Sequence, residues 1–309
     1  MKTLKKVNNL LAIVLVQAII LCMSFASGLK AQTTHPNQSF NIGDIKITKI
    51  EDSQIYLPVS YLQGIDAKEA NKMEGGKDTV LTPVNAYLIQ LSGKNILIDA
   101  GMGKVPGENS GHLMEHLKAA GVEPSAIQEI FITHFHYDHI GGLLNSQGER
   151  AFPKATVRVS QVESDFWTQD TSQLPQSVRK RAAQIQSILK PYKMANLYKP
   201  ISVTENLGEG IKAIPAYGHT IGHTVYSFTS KGKTVWCIGD LIHYGAIQFQ
   251  KPNVSVVFDT DNKKAIASRT LFFDQAAKES AAIAASHLFD ILLLQKQDDG
   301  YKTTPLQKK

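Results

Sequence analysis

Four side chains able to bind a metal stand within six residues of one another in the segment Ile130–Gly142. They are His134, His136, Asp138 and His139, in the pattern H-x-H-x-D-H. Packing gives no reason for such a cluster, whereas imidazoles and carboxylates at ligand spacing are the usual mark of a zinc-type site. An apolar run, Ile130 to Ile132, leads into them, which places them where a buried strand becomes a loop. On extended backbone His134 and His136 project to the same side and can grip one metal. Asp138 and His139, just past the bend, can grip a second. Gly141 and Gly142 then supply a sharp turn.

A pair of metals needs more donors, and the chain offers them at the ends of other apolar runs. His219 lies in Gly218-His219-Thr220, after the strand-like Ile211 to Ile214, and His223 repeats the motif in Gly222-His223-Thr224. Asp240 closes the apolar run Val235 to Gly239, and His287 follows Ala284-Ala285-Ser286. In α/β sheets, sites are built at strand ends of this kind. A competing pattern, His112-x-x-Glu115-His116, spells a zinc-peptidase motif with both histidines on one helix face. The short helix stops at Gly121 and no further acid accompanies it, so a solvated helix face is the expectation. His243 can line the pocket or serve structure. Phe135, Phe166 and Trp167 are candidates for an apolar substrate wall.

The elements that must position these groups alternate between strands and helices. Phe40 to Ile50 alternates apolar and polar residues, as an edge or half-buried strand does. Val84–Leu91 and Asn95–Asp99 read as strands around a Ser92-Gly93-Lys94 turn. Residues 51–81 carry few strong signals and read as a long loop with short pieces of structure. Helices are expected over Met114–Ala120, over Val178–Leu189 ended by Pro191, and over Lys263–Ser280. Strands grouped in both halves, each followed by helices, predict two sheets packed face to face and flanked by helices.

The chain has 309 residues, 43% hydrophobic and 19% charged, ordinary values for a folded enzyme of one large α/β domain or two small ones. Its formal charge of +6 falls to +2 once the four lysines of the acid-free first 31 residues are set aside. No basic stripe with interleaved aromatics appears, so nucleic acid is not an expected partner. Met1–Ala31 reads as an export signal. Lys2, Lys5 and Lys6 lead, Leu10 to Phe25 is the apolar core, and cleavage is expected after Ala31 or Gly28. The rival is a retained anchor. The domain is then residues 32–309, periplasmic or secreted, with no stable membrane association after cleavage. Only Cys237 remains there, in an apolar run, which predicts a buried, inert thiol and no internal disulfide.

Taken together, H-x-H-x-D-H at 134–139, G-H-T at 218–220, Gly239-Asp240, Ser286-His287 and Leu97-Ile98-Asp99-Ala100-Gly101 resemble the metallo-β-lactamase superfamily, over about residues 40–303. The resemblance implies an αββα sandwich with the site at one edge. It implies two Zn²⁺ ions, one held by His134, His136 and His219, the other by Asp138, His139 and His287, with Asp240 bridging and Asp99 orienting the ligand loop. Thr82–Tyr87, Asp165–Trp167, Gly239–Ile242 with Ala246–Phe249, and Phe258–Asp261 are further similar to methyl parathion hydrolase and the related secreted lactonases. Leu288–Leu293 replaces the proline- and glycine-rich loop usual in that branch after the last histidine, which predicts an altered pocket floor.

Such a pair of metals shares a water and lowers its pKa towards neutrality, and the hydroxide attacks carbon or phosphorus. Asp138 and Asp240 are the expected catalytic carboxylates. The expected substrate is a small molecule, a lactone, ester or phosphotriester; a homodimer is left open. Rival readings are a β-lactamase of the same fold, a mononuclear iron enzyme like the persulfide dioxygenases, and a metal-binding protein without turnover. An acid at 240 and a full set of donors argue against all three.

Overall fold

The computed structural model describes residues 37–105, 109–202 and 205–307. The segment Met1–Ala31, read above as an export signal, lies outside the described residues. In chain order the strands are β1 (Gln38–Ile42), β2 (Ile45–Pro58), β3 (Leu62–Gln63), β4 (Thr79–Leu91), β5 (Lys94–Ile98), β6 (Glu129–Phe131), β7 (Thr156–Arg158), β8 (Ile211–Pro215), β9 (Thr224–Ser230), β10 (Lys233–Gly239), β11 (Ser255–Val256), β12 (Ala282–Ala285), β13 (Leu292–Gln297) and β14 (Gly300–Pro305). The helices are α1 (Ala67–Met73), α2 (Leu113–Ala119), α3 (Tyr137–Ile140), α4 (Gln161–Thr168), α5 (Gln176–Met194), α6 (Gly245–Gln248) and α7 (Asn262–Glu279).

Strands that are apolar on both faces need a partner on each side, and these strands have one. Among the described residues, one six-stranded sheet runs β1-β2-β4-β5-β6-β7 and another β14-β13-β12-β10-β9-β8. Alternate residues of each strand point to opposite faces. Tyr87, Ile89, Ile96, Ile98 and Phe131 meet Tyr226, Phe228, Val235, Cys237 and Ala284 between the sheets. Ala86, Leu88 and Leu97 face the other way, onto Leu113 and Leu117 of α2 and Ile185 and Leu189 of α5. Trp236, Ile238 and Ile283 face Phe272, Phe273 and Ala276 of α7. The result is the four-layered α/β sandwich expected. The β5–β6–β7 and β10–β12 pairings are parallel and the other neighbours in the two sheets antiparallel. Cys237 is a buried free thiol within this core. No helix among the described residues is long and apolar enough to cross a membrane.

Three expectations are corrected. Phe40–Ile50 is two strands, because the chain reverses at Gly43-Asp44 and β1 pairs back on β2. Gly43 has φ +62°, and a Cβ there would lie 2.4 Å from the Ser230 carbonyl oxygen. Residues 51–81 are mostly regular structure. β2 continues to Pro58 against β4, and α1 follows, capped by Asp66 on the amides of Lys68 and Glu69. The signal was hidden because Glu51, Asp52, Ser53 and Gln54 are all buried, so polarity stopped tracking exposure. A bulge at Asp52 turns its carboxylate onto the amides of Met102 and Leu113, at 2.9 and 3.1 Å. Finally, α5 runs through Pro191 to Met194. Tyr192 is fully buried, its hydroxyl donating to the Leu143 carbonyl and accepting from the Phe152 amide. That tertiary anchoring outweighs the one helical bond a proline forfeits.

Phe131 is 1% exposed and stacks on Tyr226 at 5.0 Å between the sheets, one strand-end away from the histidine loop. Phe131→Ala should lower unfolding free energy by about 3–5 kcal/mol, read from the urea midpoint at unchanged slope.

Candidate active site

The carboxyl ends of β5, β6, β10 and β12 and the β8–β9 loop meet at one edge of the sandwich. They bring His134, His136, Asp138, His139, His219, Asp240 and His287 together in two overlapping clusters. One holds His134, His136, His219 and Asp240; the other holds Asp138, His139, Asp240 and His287. Within each, the donor atoms lie within 4.8 Å of one another. Asp240 belongs to both. Its Oδ2 is 3.3 Å from His219 Nε2 and 3.2 Å from His287 Nε2, and its Oδ1 is 3.2 Å from His139 Nε2. His134, His139, His219, Asp240 and His287 are buried, while His136 and Asp138 are half-buried at the cavity.

Four of the rings are held from behind through Nδ1. His134 meets Thr133 Oγ1 at 3.0 Å, His139 meets Asp99 Oδ2 at 2.8 Å, His219 meets Asp259 Oδ1 at 2.9 Å, and His287 meets the Pro83 carbonyl at 3.0 Å. With Nδ1–H donating outward, Nε2 turns its lone pair inward. His134 Nε2, His139 Nε2 and Asp240 Oδ1 are buried without a hydrogen-bond partner. Orphaned atoms of this kind are costly in a folded core, and donors of this hardness at this spacing suit divalent metals. Burial opposes charge on every group here. Neighbouring carboxylates override it at His219, raised to about 9 by Asp240 and Asp259, and at His287, raised to about 10 by Asp240 and Asp138. Burial, joined by the charge of neighbouring histidines, keeps His134 well below the usual imidazole range. Burial also opposes charge on Asp240, but the surrounding imidazoles hold its carboxyl well below the usual range.

The local backbone explains the loops. Asp99, with φ +59°, ends β5 and accepts from the Thr133 amide at 2.8 Å as well as facing His139. Gly141 and Gly142 serve close approach and not a turn. Gly141 is helical at φ −59°, and added Cβ atoms would sit 2.1 Å from the carbonyl oxygens of Met102 and Ala100. Gly218, at φ +133°, lets the His219 loop touch the start of α7, where a Cβ would lie 2.0 Å from the Ala265 nitrogen. His223 joins neither cluster; its Nε2 accepts from the Asp240 amide at 3.1 Å and so fixes that residue's backbone. His243 does line the cavity, with Nε2 3.2 Å from Asp240 Oδ2 and its ring stacked on His287 at 4.8 Å.

A cavity of about 760 Å³ opens over both clusters. Its walls include Ile55, Leu57, Val257 and Phe258, together with Lys180 and Arg181 of α5. Of the three aromatics expected in its wall, Phe135 borders it. Trp167 is buried in the core with its Nε1 donating to Glu163, and Phe166 packs beside it. The loop after His287 does not form the floor; Leu288, Phe289 and Asp290 line a separate cavity of about 810 Å³ beside β13 and β14. His112 and His116 stack at 5.7 Å on α2, bonded to Asn109 and to the Glu51 carbonyl, and belong to neither cluster.

Sequence reasoning missed Glu163. It occupies the last position of an S-x-x-E run that reads as a helix capping box, and Ser160 does cap α4. The carboxylate, fully buried, instead accepts from the Phe135 amide, Trp167 Nε1, Thr220 Oγ1 and the Gly222 amide, all within 3.0 Å. It thereby ties the H-x-H loop to the His219 loop. Asp259 was noticed only as part of a motif; it orients His219 and sits 3.8 Å from the buried guanidinium of Arg269. Glu163→Gln keeps the shape but sets an NH₂ against donors. It should cost about 1–3 kcal/mol and reduce metal retained through dialysis, measured by thermal unfolding and elemental analysis.

The metallo-beta-lactamase superfamily profile matches residues 79–287. YobT, an uncharacterised protein of Bacillus subtilis, is 30% identical over 205 residues, 63% of this chain and 80% of its own. A crystal structure of AbOPH, a hydrolase in the beta-lactamase superfamily, aligns with TM-score 0.83 at 29% identity, covering 90% of this chain and all of that one. AidC, a dizinc quorum-quenching lactonase in complex with a product, aligns with TM-score 0.80 at 26% identity, covering 89% and 98%. Fold, clusters and profile agree, and the chain belongs to the metallo-beta-lactamase superfamily of hydrolases.

Proposed function

We propose that the protein is a binuclear zinc hydrolase of lactones, esters or phosphotriesters, in the branch of methyl parathion hydrolase and the secreted lactonases. The observation that carries this reading is the sharing of Asp240 by two four-residue clusters, in which His134 Nε2 and His139 Nε2 are buried without a hydrogen-bond partner. His134, His136 and His219 would hold one ion, Asp138, His139 and His287 the other, and Asp240 both. When bound, the ions supply Lewis acidity and a water of near-neutral pKa.

The remaining work falls to the chain. Asp99, Asp259, Thr133 and the Pro83 carbonyl fix the ring planes, so no reorganisation is needed as charge develops. Asp138 and Asp240, whose residues border the cavity, are the catalytic carboxylates, and a proton shed during hydrolysis passes to a carboxylate oxygen there. Ile55, Leu57, Val257 and Phe258 give the substrate's apolar part a dry wall. The likeness to AidC, a lactonase, over nearly its whole length supports ester-type substrates over β-lactams.

Elemental analysis of protein purified without chelator should return about two zinc ions per chain; one iron per chain would sink the proposal. Asp240→Asn keeps the size of the shared side chain but removes its charge. It should lower kcat for a lactone or aryl ester by about 100-fold or more and weaken the second metal. Efficient β-lactam turnover that survives this change would reject the branch.

A further inference from the structure

Within this hydrolase reading, one pair of donors at the exposed side of the cavity has no acceptor from the chain among the described residues. His136 turns Nδ1 inward, 3.0 Å from His219 Nε2. Its Nε2 points away, 3.4 Å from Nη1 of Arg181 on α5. An imidazole that gives its Nδ1 lone pair to a metal carries its one proton on Nε2. In that state Nε2–H and the guanidinium are both donors, since arginine has no acceptor. The contact becomes two N–H groups facing each other. Among the described residues neither group has another hydrogen-bond partner, and neither Arg181 nor its neighbour Lys180 forms an ion pair. Elsewhere the cavity's acids are already engaged, Asp138 and Asp240 in the clusters and Asp259 on His219.

We propose that this donor pair is a binding site for a carboxylate carried by the substrate apart from its scissile bond. A carboxylate oxygen accepts from Nε2–H and Nη1–H together, which resolves their mismatch, and Lys180 adds charge on the same wall. The ring of His136 separates this anion from the inward nitrogens, so it cannot be the group under attack. The apolar lining of the same cavity accommodates the rest of the molecule. The substrate class is therefore an anionic ester or lactone, with an apolar body and a free carboxylate.

The test uses the zinc-loaded full-length protein and two 4-nitrophenyl esters, the neutral butyrate and the monoanionic glutarate. Wild type should favour the glutarate ester in kcat/KM by about tenfold or more, mainly through KM. Arg181→Gln should bring that ratio near one, and Arg181→Lys should restore part of it. Calorimetry with free glutarate supplies a readout apart from turnover. Its affinity should fall about tenfold in Arg181→Gln at unchanged zinc content. A wild-type ratio near one, or a preference and a glutarate affinity that both survive Arg181→Gln, would overturn the inference. If neither ester is cleaved, the hydrolase reading fails, and glutarate calorimetry alone decides whether the donor pair binds carboxylate.

Discussion

Asp240 is a carboxylate in the interior, with the imidazoles of His134, His139, His219, His243 and His287 around it. Burying a charge is expensive unless it is matched by opposite charge and hydrogen bonds. That one requirement explains much of the architecture. Imidazoles must arrive from several directions, so several strands must end at the same edge. Parallel pairing of β5 with β6 and of β10 with β12 aligns their carboxyl ends and makes this possible. Close glycine contacts at 141, 142 and 218 then let the loops crowd together without side chains in between.

Each converging ring also has to be aimed. The backing groups come from sites unrelated in sequence: Asp99 ends β5, Pro83 lies inside β4, and Asp259 follows β11. Glu163, from α4, touches none of the clustered imidazoles but joins two of the loops that carry them. The geometry of the clusters is thus a property of the whole sandwich edge.

This division accounts for what was legible in the sequence. H-x-H-x-D-H could be read because its members are neighbours along the chain. His219, Asp240 and His287 could be read because each ends an apolar run. Strands buried on both faces were legible from their unbroken apolar character, and α7 as a long helix close to its observed bounds. β2 was not legible beyond Ile50, because its buried polar residues serve the loops it supports. Glu163 was not legible because its local pattern has an ordinary helical explanation. Leu288–Leu293 was misjudged because adjacency in sequence to His287 did not mean adjacency to the cavity.

The donors divide between the two sheets. His134, His136, Asp138 and His139 leave the first from β6, while His219, Asp240 and His287 leave the second from β8, β10 and β12. An ion bound by either cluster joins both halves of the sandwich. Its binding free energy then counts towards keeping the sheets together, because an unfolded chain offers no such site. The only cysteine among the described residues is free, so the cross-link between the layers would be ionic and reversible. Scarcity of metal would shorten the lifetime of the folded chain as well as silence it, and the amount of intact protein would itself report the metal supply around it.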